Sequence, residues 1–346
     1  MGKWTRRGVI TVGVVAGGAL VVGVAIRPGN RAQTLSPLVT KGDEMLISAW
    51  LKIDPANQVT AIVPHSEMGQ GAQTALTQMI ADELDARWED VSFIEAPAHD
   101  EYANFMMGKG YLLGPAEIPS ALVGTVDGAF IQIAKAMRLQ ITGGSASVRA
   151  TGQYGMRVAG AAAREMLINA AAESWSVPAA ELRASEGQIV HDRSNRQAPF
   201  AEFAAAAGRM DPPYTPKLKR PEEFRIMGRS VPRHDIPAKV DGSAIFGIDA
   251  DVPGLKIATI EAAPVFGAQV ASVDDSAARS MPGVLDVVRL DDAVAVVADG
   301  YWQAKNALAA VNVEWTKPAQ QGVSQAQIFE QFDRDMAKAV AEGAEQ

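Results

Sequence analysis

A chain of 346 residues with 48% hydrophobic content is long and apolar enough for two folded cores. Its 32 Lys and Arg against 40 Asp and Glu leave a net charge of −8. Five of the bases (Lys3, Arg6, Arg7, Arg27, Arg31) lie in an opening segment that has no acid. The remainder is therefore more acidic still, which argues against a nucleic-acid surface. No cysteine occurs. That excludes disulfides, thiolate metal sites and iron–sulfur ligation within this chain, so any electron relay has to come from a partner.

The opening segment, residues 1–31, places twin arginines in Thr5-Arg6-Arg7-Gly8-Val9 directly before an uncharged run from Val9 to Ile26. The run sits at the lower edge of a membrane span, and its flanks fit an export signal. A Sec signal or an N-terminal anchor shares these features, but the arginine pair favours the twin-arginine route. The expected destination is the periplasm. A small-x-small cleavage site exists only weakly, at Gly23-Val24-Ala25, which leaves a tether to the inner membrane open.

After a polar connector, "ISAWLKID" and "VTAIVP" alternate around "PANQ" and predict a hairpin. "EMGQGAQTALTQMIADEL" comes next, with Leu76, Met79, Ile80 and Leu84 at helical spacing. "VSFIEAPA" predicts a further strand. A glycine-rich stretch from Met107 to Gly114 leads into a helical pattern over about 120–140. "TGGSASVRATG" reads as a polar loop, and "GMRVAGAAAREMLINAAAESW" as a long helix. "ELRASEGQIVHD" predicts a hairpin turning at Glu186-Gly187. The proline-bearing segment 211–224 reads as a linker. Beyond it lie short β and α units: "SAIFGIDADVP", "KIATIEAAP", a helix at Ser272 to Arg279, "VLDVVRL", "VAVVAD", helix "YWQAKNALAAV" and strand "VNVEW". The tail is polar and helix-prone, with Ile328, Phe329 and Phe332 as its apolar stripe.

Strand, Gly-x-Gly, helix is an arrangement that binds phosphates, because glycines admit close backbone approach and helix N–H groups face the anion. Gly69-Gln70-Gly71 fits it. A nicotinamide fingerprint needs a third glycine where Thr74 stands. A tight turn capping an ordinary helix explains the same residues. A second polar loop, Thr142-Gly143-Gly144-Ser145-Ala146-Ser147, offers three hydroxyls before a helix. It fails as a nucleophile elbow, since Ser147 stands where glycine is needed. His65, His99, His191 and His234 lack metal-ligand spacing and read as solvated loop residues. Spacing alone yields no catalytic acid, base or metal-ligand set.

Several motifs occur together in a characteristic order: "EMGQGAQTALTQMIADEL", "TGGSAS", "RVAGAAAREML" and "KVDGSAIFGID". With them the chain resembles the molybdopterin-binding large subunit of the xanthine dehydrogenase and aldehyde oxidase family, on the side of the isoquinoline 1-oxidoreductase β subunit. The resemblance covers nearly all of residues 45–316. It implies an α+β (mixed α/β) fold, with the N-terminal portion of a molybdopterin-binding domain at 45–210 and the linker at 211–224. An aldehyde oxidase-type α/β hammerhead domain at 225–316 and a polar helical tail at 317–346 complete it. It further implies that Gly69, Gln70 and Gly71 hold a molybdenum–molybdopterin cofactor, in the cytosine dinucleotide form. The family's second pterin loop, T-x-x-S-x-S, falls on Thr142, Ser145 and Ser147, with Gly143 and Gly144 between.

The implied activity is hydroxylation of aldehydes or N-heterocycles with water as the oxygen source. The implied partners are a small [2Fe–2S] subunit, the C-terminal half of the large subunit and, as a further candidate, a membrane cytochrome. One departure is large: the family's base glutamate, in a Gly-x-Gly-Glu motif, has no counterpart in these 346 residues. The expectation is therefore the N-terminal half of such a subunit. A rival expectation is a non-catalytic exported or tethered chain that retains only folding and binding surfaces.

Overall fold

The computed structural model describes residues 11–15, 18–22, 31–113, 118–140, 144–318 and 321–343. Arg6, Arg7, Thr142 and Gly143 lie outside them. The fold mixes helices with small sheets, in two units spanning Met1–Ala244 and Ile245–Gln346.

In the first unit, β1 (Thr11–Val15) pairs antiparallel with β2 (Gly18–Val22), both within the apolar run read as an export signal. Among the described residues no helix is long and apolar enough to cross a membrane. Helix α1 (Ala32–Val39) leads to a four-stranded sheet of β3 (Met45–Ser48), β4 (Leu51–Ile53), β5 (Val59–Val63) and β6 (Val91–Glu95). The first three are antiparallel, whereas β5 and β6 are parallel, Val63 standing opposite Glu95. A parallel pair needs a crossover. Here it is helix α2 (Ala72–Leu84), whose Leu76, Ile80 and Leu84 are wholly buried, as their four-residue spacing predicts.

Helix α3 (Phe105–Leu113) occupies the glycine-rich stretch, so Gly108 and Gly110 are helical and not loop. Buried Met106 anchors it, and packing along α4 (Ser120–Ala136) outweighs the weak helix propensity of glycine. The segment expected as a polar loop is helix α5 (Ser145–Thr151). Gly144, at φ 81°, turns the chain into it, and the Val148 N–H bonds the Gly144 carbonyl. One π-turn, Gly152–Met156, joins α5 to the long helix α6 (Arg157–Trp175). Helices α2 and α6 lie against each other at Gly160, where an added Cβ would stand 2.7 Å from the Ile80 carbonyl oxygen.

Strands β7 (Arg183–Ser185), β8 (Gln188–His191) and β9 (Arg196–Pro199) form an antiparallel sheet, and α7 (Phe200–Ala207) comes after it. Glu186 and Gly187, at φ 50° and 79°, make the expected two-residue hairpin turn. The proline-bearing segment is strapped across α2 and α6. Lys217 N–H donates to Glu165, Lys219 N–H to Glu83, and Arg157 and Arg164 donate to the carbonyls of Lys219 and Lys217. Short helix α8 (Ile236–Asp241) closes the unit.

In the second unit, β10 (Ile257–Ala262), β13 (Ala293–Ala298) and β12 (Val284–Arg289) form an antiparallel sheet, while β11 (Val270–Asp274) pairs with β14 (Asn312–Trp315). The helix expected over Ser272–Arg279 is only α9 (Ser276–Arg279). The residues before it extend to pair with β14, and the Asp274 carboxylate takes the Ser276 N–H and hydroxyl at the bend. No strand forms in "SAIFGIDADVP", where Ile245 and Ile248 stay exposed. Helix α10 (Tyr301–Leu308) covers a small core of Val270, Val287, Val294, Val296 and Ala307. The tail contains α11 (Gln325–Ala341), with a capping box between Ser324 and Gln327.

Candidate functional site

Strands β5 and β6 end at the same sheet edge, and the chain leaving β5 makes the glycine loop before entering α2. The carboxyl ends of parallel strands are where α/β units bind ligands, because the connections diverge there and leave a crevice. A cavity of about 450 Å³ opens at this edge, lined by Pro64, His65 and Ser66 after β5, by Glu95 and Pro97 at β6, and by Gln140. Gln73, in the first turn of α2, bridges its two walls, donating to the His65 carbonyl at 3.2 Å and to Glu95 Oε1 at 2.6 Å.

Within the loop, Gly69 (φ 97°) and Gly71 (φ 77°) occupy left-handed backbone that only glycine takes without strain. That conformation turns successive amides inward. What they meet is a side chain of this protein. Glu67 Oε1 accepts the N–H groups of Gly69 and Gly71, both at 2.8 Å, and Oε2 accepts that of Gln73 at 3.4 Å. The anion of the nest is thus the chain's own carboxylate. Gln70 folds back over the same turn, accepting from Met68 N–H and donating to the Ser66 carbonyl. A primary amide has two donor hydrogens and two acceptor lone pairs, so one of each remains to face outward.

A second element holds the loop from outside. Arg233 donates to the Gly69 carbonyl at 3.1 Å, its guanidinium lies 3.3 Å from Glu67 and it forks onto Asp235 through Nε and Nη2. The Arg233 hydrogen bonds, assisted by Lys239, outweigh partial desolvation and hold the Asp235 carboxyl far below the usual range. Between them in sequence, His234 is packed against Trp88 and Phe93, with ring centroids 4.5 and 5.9 Å away.

The second candidate loop stands at the start of α5. Gly144 caps the helix, Ser145 is exposed, and buried Ser147 donates to the Gly144 carbonyl at 3.0 Å. Its neighbours Thr142 and Gly143 lie outside the described residues. The far end of α5 is tied to the cavity: Thr151 hydrogen-bonds His65 Nε2 at 2.9 Å. Six residues of helix rise roughly 9 Å, which sets the distance of Ser145 along the axis from that tie. The two loops are therefore on connected elements, joined through buried side chains.

Two of the four histidines are not the solvated loop residues that spacing implied. His65 and His191 are buried, the latter bonded to Ser194 and Glu181, because each closes a polar junction between elements. Glu67 and Arg233 are the residues that sequence reasoning did not single out. A signal for Glu67 was present, an acid two positions before Gly-x-Gly. Among the described residues no group of three or more His, Asp or Glu is placed to hold a metal ion.

The residues fit a pterin-type ligand in one respect that the geometry tests. A Cβ placed on Gly69 or on Gly144 would meet nothing within 4 Å, so the backbone at both loops is open to close approach. The side chains of His65, Ser66, Glu95 and Gln140 supply polar groups to the neighbouring cavity. The glycine loop does not offer its inward amides, which Glu67 occupies; it offers the outer edge of Gln70.

A sequence profile of the molybdopterin cofactor-binding domain matches residues 11–107, a span that includes the glycine loop and ends before Gly144. The β subunit of isoquinoline 1-oxidoreductase from Brevundimonas diminuta is 29% identical over 95% of this chain and 42% of its own length. The membrane-bound aldehyde dehydrogenase (pyrroloquinoline-quinone) of Gluconacetobacter polyoxogenes is 28% identical, over 77% of this chain and 31% of that protein. A nicotinate dehydrogenase subunit from Pseudomonas putida is 26% identical, over 86% and 23%. The chain spans less than half the length of these relatives. The chain is thus similar over residues 11–107 to molybdopterin cofactor-binding domains, and over most of its length to part of these oxidoreductase subunits.

Proposed function

We propose that this chain forms part of the molybdenum-cofactor-binding subunit of an oxidoreductase that hydroxylates aldehydes or N-heterocycles, with water supplying the oxygen. The observation that carries the reading is the open, left-handed Gly69-Gln70-Gly71 loop beside a polar cavity at the ends of β5 and β6, inside the span that matches the cofactor-binding profile. When bound, the cofactor supplies two-electron redox chemistry. This chain's residues bind and orient: Gln70 offers one donor and one acceptor, and Gly69 and Gly144 admit close backbone approach. Ser145 and Ser147, which Thr142 and Gly143 precede in sequence, are proposed as the second cradle. The His65–Thr151 hydrogen bond keeps the helix bearing that cradle attached to the cavity wall.

The finer reading draws on the sequence and on the relatives. The absence of cysteine from these 346 residues supports iron–sulfur clusters held by a partner, proposed as a small [2Fe–2S] subunit. Polypeptide equivalent to the relatives' remaining portion is proposed to complete the subunit; the word "membrane-bound" in one relative's name supports an electron acceptor at the membrane, proposed as a cytochrome. The cofactor is proposed in its cytosine dinucleotide form. The arginine pair before the apolar run supports twin-arginine export to the periplasm, with retention at the inner membrane. The test is to purify the tagged chain with its partners from cells. Oxidation of an aldehyde or N-heterocycle by an artificial electron acceptor, with oxygen from labelled water appearing in the product, is expected. A complex that reduces no acceptor with either substrate class would overturn the reading.

A further inference from the structure

The glycine loop holds its shape before any ligand arrives. Three amides that a phosphate would seek are bonded to one carboxylate, Glu67, whose side chain is 9% exposed. Arg233, 164 residues beyond Gly69, covers that carboxylate and pins the Gly69 carbonyl. Asp235 and Lys239 fix Arg233 in turn.

We propose that Glu67 is a positioning residue, an internal anion that presets the Gly69-Gln70-Gly71 loop, and that Arg233 locks it there. This has two consequences. The loop's backbone amides do not take a phosphate, because Glu67 already holds them. What the loop presents is the outer edge of Gln70, held by the Met68 and Ser66 hydrogen bonds. The second consequence rests on the cofactor reading above; the first does not.

A vacated nest has a distinctive chemistry. Amides pre-turned toward one point, at a helix N-terminus, attract any oxyanion of the right size. Removing the carboxylate therefore does more than loosen the loop: it creates an anion site that the parent chain lacks. A role limited to packing would not produce that gain.

The experiment uses the 15N-labelled full chain without cofactor, with inorganic phosphate as probe and chloride at matched ionic strength as control. In the parent, the Gly69, Gly71 and Gln73 amide signals are expected to stay unmoved by phosphate. In Glu67→Ala they are expected to shift with phosphate and not with chloride, and to exchange with solvent tenfold faster or more. Tenfold corresponds to losing about 1.4 kcal/mol of local interaction. Glu67→Gln keeps an oxygen for Gly69 and Gly71 but loses the attraction to Arg233, so a smaller acceleration is expected even if the alanine variant folds poorly. Arg233→Met should speed the same three amides without creating phosphate binding.

Phosphate shifting those amides in the parent, or Glu67 variants leaving their exchange unchanged, would overturn the proposal. Neither result depends on cofactor. A purified complex lacking pterin would sink the cofactor reading and leave Glu67's positioning role standing.

Discussion

The Asp82 carboxylate on α2 accepts the backbone N–H of Met227 at 2.8 Å, tying the crossover helix to a segment 145 residues away. It also takes the amides of Ile226 and Arg225, and the Lys219 ammonium lies 3.2 Å from it. Burial pushes this carboxyl up, but the three amides and Lys219 outweigh burial and hold it below the usual range. A carboxylate depressed in the folded state stabilises fully above its unfolded pKa of about 3.9 and loses that contribution as pH falls through the folded value. Asp82→Asn keeps one acceptor and turns an NH2 toward the amides. It should cost about 2–4 kcal/mol at pH 7 by urea denaturation, with the difference from the parent shrinking below pH 4. A variant as stable as the parent at pH 7 would show that the strap is not held here.

Gly160 and Gly152 test how closely the helices pack. An added Cβ at Gly160 meets the Ile80 carbonyl oxygen at 2.7 Å and Glu83 Cβ at 3.0 Å, and backbone cannot give way cheaply. At Gly152 the obstacle is the Met79 thioether at 2.5 Å, the end of a flexible side chain. Gly160→Ala should therefore destabilise by about 1–3 kcal/mol despite the better helix propensity of alanine. Gly152→Ala should cost clearly less. Equal melting temperatures for the two variants would contradict this account of the α2–α6 packing.

His234 should make the fold acid-sensitive near neutrality. Desolvation against Trp88 and Phe93 lowers its pKa, and the Asp235 charge only partly offsets that. With the folded value below the unfolded one of about 6.5, the unfolded chain binds more protons between the two. Stability is then complete above pH 6.5 and declines as pH falls through the folded value. His234→Phe keeps the ring packing and should flatten the decline below about pH 6.5, read as urea midpoints. An unchanged profile would place the titration elsewhere.

Export should depend on Arg6 and Arg7, whose pairing before the uncharged run is the basis for the twin-arginine reading. Replacing both with lysine preserves charge but removes the feature that the route reads. Fractionation should then find the chain retained in the cytoplasm. Unchanged delivery across the inner membrane would refute the route.

Periodic features were legible in the sequence. Leu76, Ile80 and Leu84 announced α2, and Glu186-Gly187 announced its hairpin, because each depends on residues near in sequence. The α5 start was not legible: serine and glycine favour loops, and packing against α3 and α2 together with the Thr151–His65 bond commits the segment to helix. The sequence showed a Gly-x-Gly loop between a strand and a helix, suited to turn amides toward an anion, but not what fills it. That depends on a glutamate folding back and on an arginine 164 residues away, and no local pattern encodes such a meeting. The buried histidines were missed for the same reason, since burial of a polar ring is settled by its partners.

The central claim is that this chain helps to hold a molybdopterin. The most direct measurement is molybdenum and pterin per chain in the complex purified from cells, alongside Gln70→Ala and Gly71→Val. Losing the outward amide of Gln70 should remove about 1–3 kcal/mol of ligand binding while leaving the melting temperature nearly unchanged. Gly71→Val strains a φ of 77° and should lower both. About one molybdenum and one pterin per parent chain, with occupancy reduced in Gln70→Ala, is the predicted result. Pyrroloquinoline quinone in place of molybdenum and pterin, or full pterin occupancy in both variants, would contradict it.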